Sequence, residues 1–160
     1  MFLMAILPLL FHQIDTASPA TRAGFAKWAA TAHGREMIEY FAANHCDITV
    51  VEDPTEGGIG RAPEPGIATL LAAYRHQPRQ YVVILNPKLG AADAMALAWA
   101  GEMLHIYFYA HGISLPHHNR PDFQEEWHAM AAELGMPAAQ HDDDDAFRHS
   151  AIVRYVGHGR

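Results

Sequence analysis

The sequence predicts an α+β fold built as one domain over residues 1–160. Its strongest helical stretch runs from Ala91 to Ala110, contains no proline and is rich in alanine, leucine and methionine, which are good helix formers. Two short runs, 47–51 and 81–85, are dominated by β-branched or aromatic residues and are typical of strands. We therefore expect helices packed on a small sheet.

Two helices are predicted before the first strand. Ser18-Pro19 supplies an N-cap followed by proline at the first helical position, which favours a helix start. The first helix is therefore predicted from Pro19 to about Ala32. Gly34 is expected to interrupt it, and the second helix is predicted from Arg35 to Asn44. Residues 1–33 form an N-terminal helical segment in this interpretation.

The sheet is predicted to be small and mainly antiparallel. The strand at 47–51 is followed by a loop rich in glycine and proline, from Glu52 to Gly66. Residues 67–74 fit either a strand or a helix, and the strand is favoured because a turn at 76–79 leads directly into the strand at 81–85. This order predicts a hairpin.

The C-terminal half is predicted to be helical. The long helix should end at Gly112 and be followed by a loop over residues 113–120. Pro121 then favours a new helix as far as Leu134. An acidic run at 142–145, directly after His141, precedes an amphipathic stretch, so a C-terminal helix is predicted within 138–160, with the acidic run as its solvated start.

The net charge and the cysteine content of the chain indicate which partners and which compartment to expect. The formal net charge is −7, and the eleven lysines and arginines are scattered, whereas a nucleic-acid-binding domain usually carries a basic patch. We therefore expect no nucleic-acid partner. Cys46 is the only cysteine, which favours a reducing compartment. The twelve histidines are candidates for metal binding, and only their positions can distinguish them.

The apolar N-terminal run, Met1–Phe11, has two interpretations. It is too short for a transmembrane helix, which needs about 20 apolar residues, so no membrane span is expected. It lacks the basic start of a secretory signal, and we therefore predict that it packs against the domain. The predicted location is cytoplasmic, and the alternative is export if Met1–Phe11 acts as a cryptic signal.

The residues whose spacing best fits metal binding or catalysis lie in the helix predicted at 91–110. Zinc peptidases place two histidines four residues apart on one helix, with a glutamate after the first. Both imidazoles then share one helix face, and the carboxylate can activate metal-bound water. Here the segment reads Gly101-Glu102-Met103-Leu104-His105, so the glutamate and the second histidine are present. Glycine occupies the position of the first histidine.

The residues that follow carry a family resemblance. His117-His118 lie in the next loop, and a helix containing Phe123 and Trp127 then ends in Leu134-Gly135-Met136-Pro137. Around a degenerate HExxH helix, this order resembles the SprT-like zincins and related zinc metallopeptidases of bacteria, over a core of residues 34–137.

The resemblance implies a zincin-like fold, a zinc cofactor and a peptide or protein as substrate or partner. It also implies that Glu102 is the general base and His105 the second zinc ligand. His118 would be the third ligand, with His117 as its competitor. Because Gly101 has no side chain to bind metal, the implied function is that of a degenerate metallopeptidase, inactive or altered in metal binding.

Two other interpretations of the same residues remain open. Small residues and His105 share one face of the long helix, so His105 could be a hydrogen-bonded core residue in a binding or regulatory domain without metal. Glu102 and His105 also pair with a second Glu-x-x-His at Glu125 and His128, as in di-iron helix bundles, where Glu36 or Glu39 would contribute further carboxylates.

Overall fold

The computed structural model describes residues 10–54, 60–61, 79–88, 92–113 and 120–136. These form, in chain order, β1 (Phe11–His12), α1 (Pro19–Ala29), α2 (Ala32–Ala43), β2 (Asp47–Glu52), β3 (Gly60–Arg61), β4 (Gln80–Leu85), α3 (Ala92–Ala110) and α4 (Pro121–Glu133). The predicted α+β class is confirmed. The predicted C-terminal helix within 138–160 lies outside the described residues.

The predicted direction of the strands is wrong. The described strands form one sheet in the order β1-β2-β4-β3, in which β1, β2 and β4 run parallel and only β3 is antiparallel. Tyr81 pairs with Ile48 of β2, whereas the sequence predicted a hairpin with residues 67–74, which lie outside the described residues. The antiparallel neighbour of β4 is Gly60–Arg61, within the predicted loop.

Parallel pairing follows from how the strands are connected and covered. A parallel neighbour requires a long crossover, and α1 with α2 supplies the one between β1 and β2. The five consecutive residues Tyr81–Leu85 are all buried, as in parallel strands covered on both faces. That unbroken apolar run was the available sequence signal for a parallel strand.

The N-terminal helices begin at side-chain caps. The Ser18 hydroxyl accepts a hydrogen bond from the Thr21 nitrogen, which confirms the predicted start of α1 at Pro19. The start predicted for α2 at Arg35 is wrong, because the Thr31 hydroxyl accepts a hydrogen bond from the Gly34 nitrogen and the helix already begins at Ala32. The glycine therefore belongs to the first turn and does not interrupt the chain.

The long helix α3 lies at the centre of the described fold. Thirteen of its nineteen residues are buried. It packs against α1, α2, α4 and the sheet, as the sequence predicted for the long helix. The left-handed φ angles of +77° at Gly112 and +74° at Gly135 follow α3 and α4, so both predicted glycine ends are confirmed.

The main core lies between the helices and one face of the sheet. Ile48, Val50 and Val83 on that face share a cluster with residues of all four described helices. Val82 and Ile84 point to the other face and form a small separate cluster with Val51. The sheet thus places the end of β4 beneath α3.

The N-terminal apolar run is described only at its end. Leu10 and Phe11 are buried in the main core, as predicted for a packing segment, and Met1–Leu9 lie outside the described residues. Among the helices that the structure describes, none combines the length and apolarity needed to cross a bilayer.

Candidate functional site

Glu102 and His105 lie in the middle of α3, and both are buried. Their residues are 6% and 4% exposed, respectively. They are three positions apart on one helix, so they lie on neighbouring parts of its surface. A carboxylate and an imidazole in such a position are costly to bury without polar partners. This pair is therefore the strongest candidate for chemistry among the described residues.

Aromatic rings surround His105. Its imidazole centroid lies 5.1 Å from the ring of Phe123 on α4 and 6.5 Å from the ring of Tyr109, with which it stacks at 24°. Phe108, also on α3, meets Phe123 edge-on at 5.2 Å. The packing of α4 against α3 therefore covers one side of the His105 imidazole.

The two described ends of the connection between α3 and α4, Ile113 and Arg120, both contact Phe108. Ile113 donates its main-chain hydrogen bond to the Phe108 carbonyl at 3.0 Å, and the Arg120 guanidinium lies 5.8 Å from the centre of the Phe108 ring. His117 and His118, the predicted loop ligands, fall between these two residues and lie outside the described residues. Their roles stay predictions.

The described donors do not make a catalytic zinc site. Such a site normally has three protein ligands and a water molecule. His105 offers one nitrogen, and Glu102 could replace a missing ligand only by giving up its role as a free base. Gly101, buried on α3, offers no donor. Among the residues that the structure describes, no group of three histidine, cysteine or acidic side chains could hold a metal ion.

The di-iron alternative does not bring its residues together. Glu125 and His128 are exposed on α4, and Glu36 and Glu39 are exposed on α2, whereas the Glu102 and His105 pair is buried. Inward-facing carboxylates from several helices are required for such a site. The exposure of the second pair therefore argues against this interpretation.

His111, at the end of α3, contacts other rings than His105 does. Its imidazole stacks on the Tyr40 ring of α2 at 4.5 Å and lies 4.4 Å from the ring of Tyr107. Its Nδ1 is 2.7 Å from the Tyr107 carbonyl oxygen. His111 therefore closes the end of α3 against α2 and does not join the candidate pair.

Cys46 is a core thiol. It is 3% exposed while its neighbour His45 is exposed. Burial raises the pKa of the Cys46 thiol, and the nearby Arg79 guanidinium opposes this only in part. A thiol held in its protonated form is a poor nucleophile.

Glu52 has a defined structural role that no sequence pattern indicated. The Glu52 carboxylate accepts hydrogen bonds from the Ser18 nitrogen at 2.7 Å and the Thr21 hydroxyl at 2.8 Å. Burial alone would raise the pKa of Glu52, but these hydrogen bonds outweigh it and lower the pKa below its ordinary value. No local pattern could have revealed this role, because the partners are more than 30 residues apart.

An open cavity of about 360 Å³ lies where the ends of several helices meet. Its lining consists of Lys27, Ala30, Thr31, Asp93, Ala96, Glu133 and Leu134. Lys27 forms an ion pair with Asp93 across part of this lining. Neither Glu102 nor His105 contributes to it, so the cavity is separate from the candidate pair.

Comparison of the chain with protein-family models, curated proteins and solved structures found no match. The resemblance to zinc peptidases therefore rests on the sequence pattern.

Proposed function

We propose that this chain is a degenerate zincin-like domain that has lost the hydrolytic zinc site and binds a peptide or protein partner. The observation that supports the proposal most directly is the glycine one turn before His105. Gly101 stands at the position of the first zinc ligand in a helix that still buries Glu102 and His105. The glutamate and second histidine of a peptidase helix are thus retained without the residue that completes them.

The loss of hydrolysis follows from the coordination chemistry. With His105 and one loop histidine, His118 or His117, a zinc ion would have two imidazole ligands where a catalytic site uses three protein ligands. The loss even of a group that only supports a ligand weakens metal affinity by about 10–100-fold. A missing ligand is expected to weaken it at least as much. The expected function is therefore binding without cleavage.

A second candidate function is an active zinc metallopeptidase. It is favoured by the position of Ile113 and Arg120, the described residues on either side of His117 and His118. Both contact Phe108, and Phe108 packs on Phe123, the ring beside His105. In this version His105 and His118 bind zinc, His117 is an alternative ligand, and Glu102 activates water. A third ligand would then have to come from outside the described residues.

Restoration of the missing ligand tests the inherited site. The variant Gly101→His re-creates two histidines four residues apart on α3, so zinc affinity should rise by at least about tenfold relative to the wild type. Isothermal titration with zinc, together with cobalt absorption spectra, measures the gain. The double variant Gly101→His/His105→Ala should lose it.

A size-matched control separates ligation from packing. Gly101→Gln adds a side chain of similar bulk at the same buried position without an imidazole, so it should fold as well as Gly101→His and gain no zinc affinity. A folded Gly101→His protein with no gain would rule out the inherited zinc site. If neither variant folds, zinc analysis of the wild type and of His105→Ala decides the same question.

Peptide hydrolysis distinguishes the two candidate functions. The wild type with added zinc should cleave a mixed fluorogenic peptide library no faster than the Glu102→Gln variant does. Cleavage by the wild type that disappears in Glu102→Gln would establish the active peptidase and overturn the proposal of binding alone.

A further inference from the structure

The imidazole of His33 lies between two carboxylates of a neighbouring helix. His33 is in the first turn of α2, and its Nδ1 is 3.0 Å from an oxygen of Glu133, while its Nε2 is 3.6 Å from an oxygen of Glu126. The main-chain nitrogen of His33 donates to the same Glu133 oxygen at 3.2 Å. One histidine therefore joins the start of α2 to two positions on α4.

The two glutamates are placed to act together. They are seven residues apart on α4, about two helical turns, and so share one face. The contact between Nδ1 and Glu133 has the distance of an ion pair but not the alignment of a hydrogen bond. Its strength consequently depends on the charge of the imidazole, because a neutral ring with poor alignment gains little from a carboxylate.

The other charged groups nearby do not replace the carboxylates. Glu36 lies one turn further along α2, and its charge together with that of Glu126 contributes to the raised pKa of Tyr107 on α3, for which burial is the main cause. Lys27 of α1, which lines the adjoining cavity with Glu133, is paired with Asp93 of α3.

Glu133 keeps its charge in mild acid. Burial would raise its pKa, but the close side-chain contact, the main-chain hydrogen bond and the charge of His33 together outweigh burial and lower the pKa of Glu133 below its ordinary value of 4.5. A carboxylate with a lowered pKa is still ionised where imidazoles gain their protons, between about pH 5 and 8. The carboxylate partner is therefore ionised throughout the range in which imidazoles in general change charge.

We propose that His33 is a proton-operated latch that fastens α4 to α2. The imidazolium form is held by Glu126 and Glu133, and the neutral form releases the last turns of α4. The latch adds to the fixed packing of Phe123, Trp127 and Met130 in the core, so its release loosens α4 without unfolding the domain.

The size of the effect is limited by solvent. The side chain of His33 is 28% exposed, and those of Glu133 and Glu126 are 28% and 44% exposed. Ion pairs with this degree of exposure contribute modestly. Two pairs on one imidazole should change the opening equilibrium of α4 about three- to fivefold.

Hydrogen exchange, corrected for the intrinsic pH dependence, provides the test. At about pH 5.5 the amides of residues 127–133 should open about three- to fivefold less often in the wild type than in His33→Gln, and at about pH 8 the two proteins should agree. Glu133→Gln should behave like His33→Gln, because its side-chain carbonyl can still accept the His33 main-chain hydrogen bond while the charge is lost.

His12→Gln is the matched control. His12 also pairs with a carboxylate, that of Asp47 at 3.2 Å, but this pair joins β1 to β2. The His12→Gln variant should leave the hydrogen exchange of α4 unchanged at both pH values. An equal difference between wild type and His33→Gln at both pH values, or no difference at either, would overturn the latch. Zinc takes no part in this experiment, so its outcome is independent of the proposed function.

Discussion

The Glu52 carboxylate accepts hydrogen bonds from the Ser18 nitrogen and the Thr21 hydroxyl with separate oxygens, at 2.7 and 2.8 Å. It thereby attaches the end of β2 to the first turn of α1, where a negative charge also interacts favourably with the helix dipole. A single carboxylate thus fixes the entry of a helix that packs directly on α3.

Replacement of Glu52 by glutamine should destabilise the protein by about 1–2 kcal/mol at neutral pH, because hydrogen bonds to a charged acceptor are lost. The pKa of Glu52 is lowered in the folded protein, so its contribution is complete above the ordinary carboxyl value of 4.5. It is lost as the pH falls through the lower, folded value. Urea unfolding between about pH 3 and 7 should show the two proteins converging in acid.

Glu39→Gln is the control for this prediction. Glu39 is exposed on α2, and its replacement should change stability by less than about 0.5 kcal/mol at every pH. A difference between wild type and Glu52→Gln that stays constant down to pH 3 would show that the carboxylate charge does not contribute.

The sequence was sufficient to identify single candidate residues of the site but not to predict their contacts with other helices. Helix spacing places Glu102 and His105 on neighbouring positions of α3, and both residues are buried there. Phe123, the ring beside His105, belongs to another helix, and no rule of local spacing predicts that contact. The same limit explains why the partnership of His33 with Glu133, one hundred residues away, had no sequence signal.

Helix boundaries were predictable where the ends carry their own chemistry. Ser18, Gly112 and Gly135 act through their own backbone or side chain, so local rules sufficed. Strand direction was not predictable in this way, because a β-branched run indicates a strand without indicating its neighbour. Pairing of β2 with β4 depends on the crossover between them, much of which lies outside the described residues.

The junction between α1 and α2 leaves no room for a side chain at Gly34. A β-carbon there would lie 2.1 Å from the Trp28 carbonyl oxygen, a backbone atom that cannot move aside without disturbing α1. Gly34→Ala should therefore destabilise the protein by about 1–3 kcal/mol or more, as overpacked sites do. Thermal and urea unfolding measure the loss.

Gly112→Ala gives the comparison for Gly34→Ala. Nothing lies within 4 Å of a β-carbon at Gly112, where the cost arises only from its φ of +77°, about 1–2 kcal/mol. If the close approach to Trp28 is real, Gly34→Ala should be the more damaging of the two. A Gly34→Ala protein as stable as the wild type would contradict this helix junction.

At the scale of the whole molecule, α3 serves both as the centre of the core and as the carrier of the candidate pair. Met95, Trp99 and Met103 on this helix are fully buried, and Trp99 stacks on Trp28 of α1 at 6.4 Å. Around these residues the core is built mainly from apolar and aromatic side chains. The proposed loss of the zinc site predicts that this core is stable without a metal.

Removal of metal should accordingly leave the stability of the wild type unchanged. A ligand that binds only the folded state raises stability by RT ln(1 + [L]/Kd), about 2.7 kcal/mol at one hundred times Kd, so a tightly held zinc would be evident on chelation. We expect EDTA to shift the melting temperature of the wild type by less than about 1 °C, within the error of calorimetry. The zinc-loaded Gly101→His protein should instead lose several degrees, which shows that the assay can detect a bound ion. A comparable loss in the wild type, absent from His105→Gln, would mean that His105 already holds a metal and that the glycine has been compensated from elsewhere in the chain.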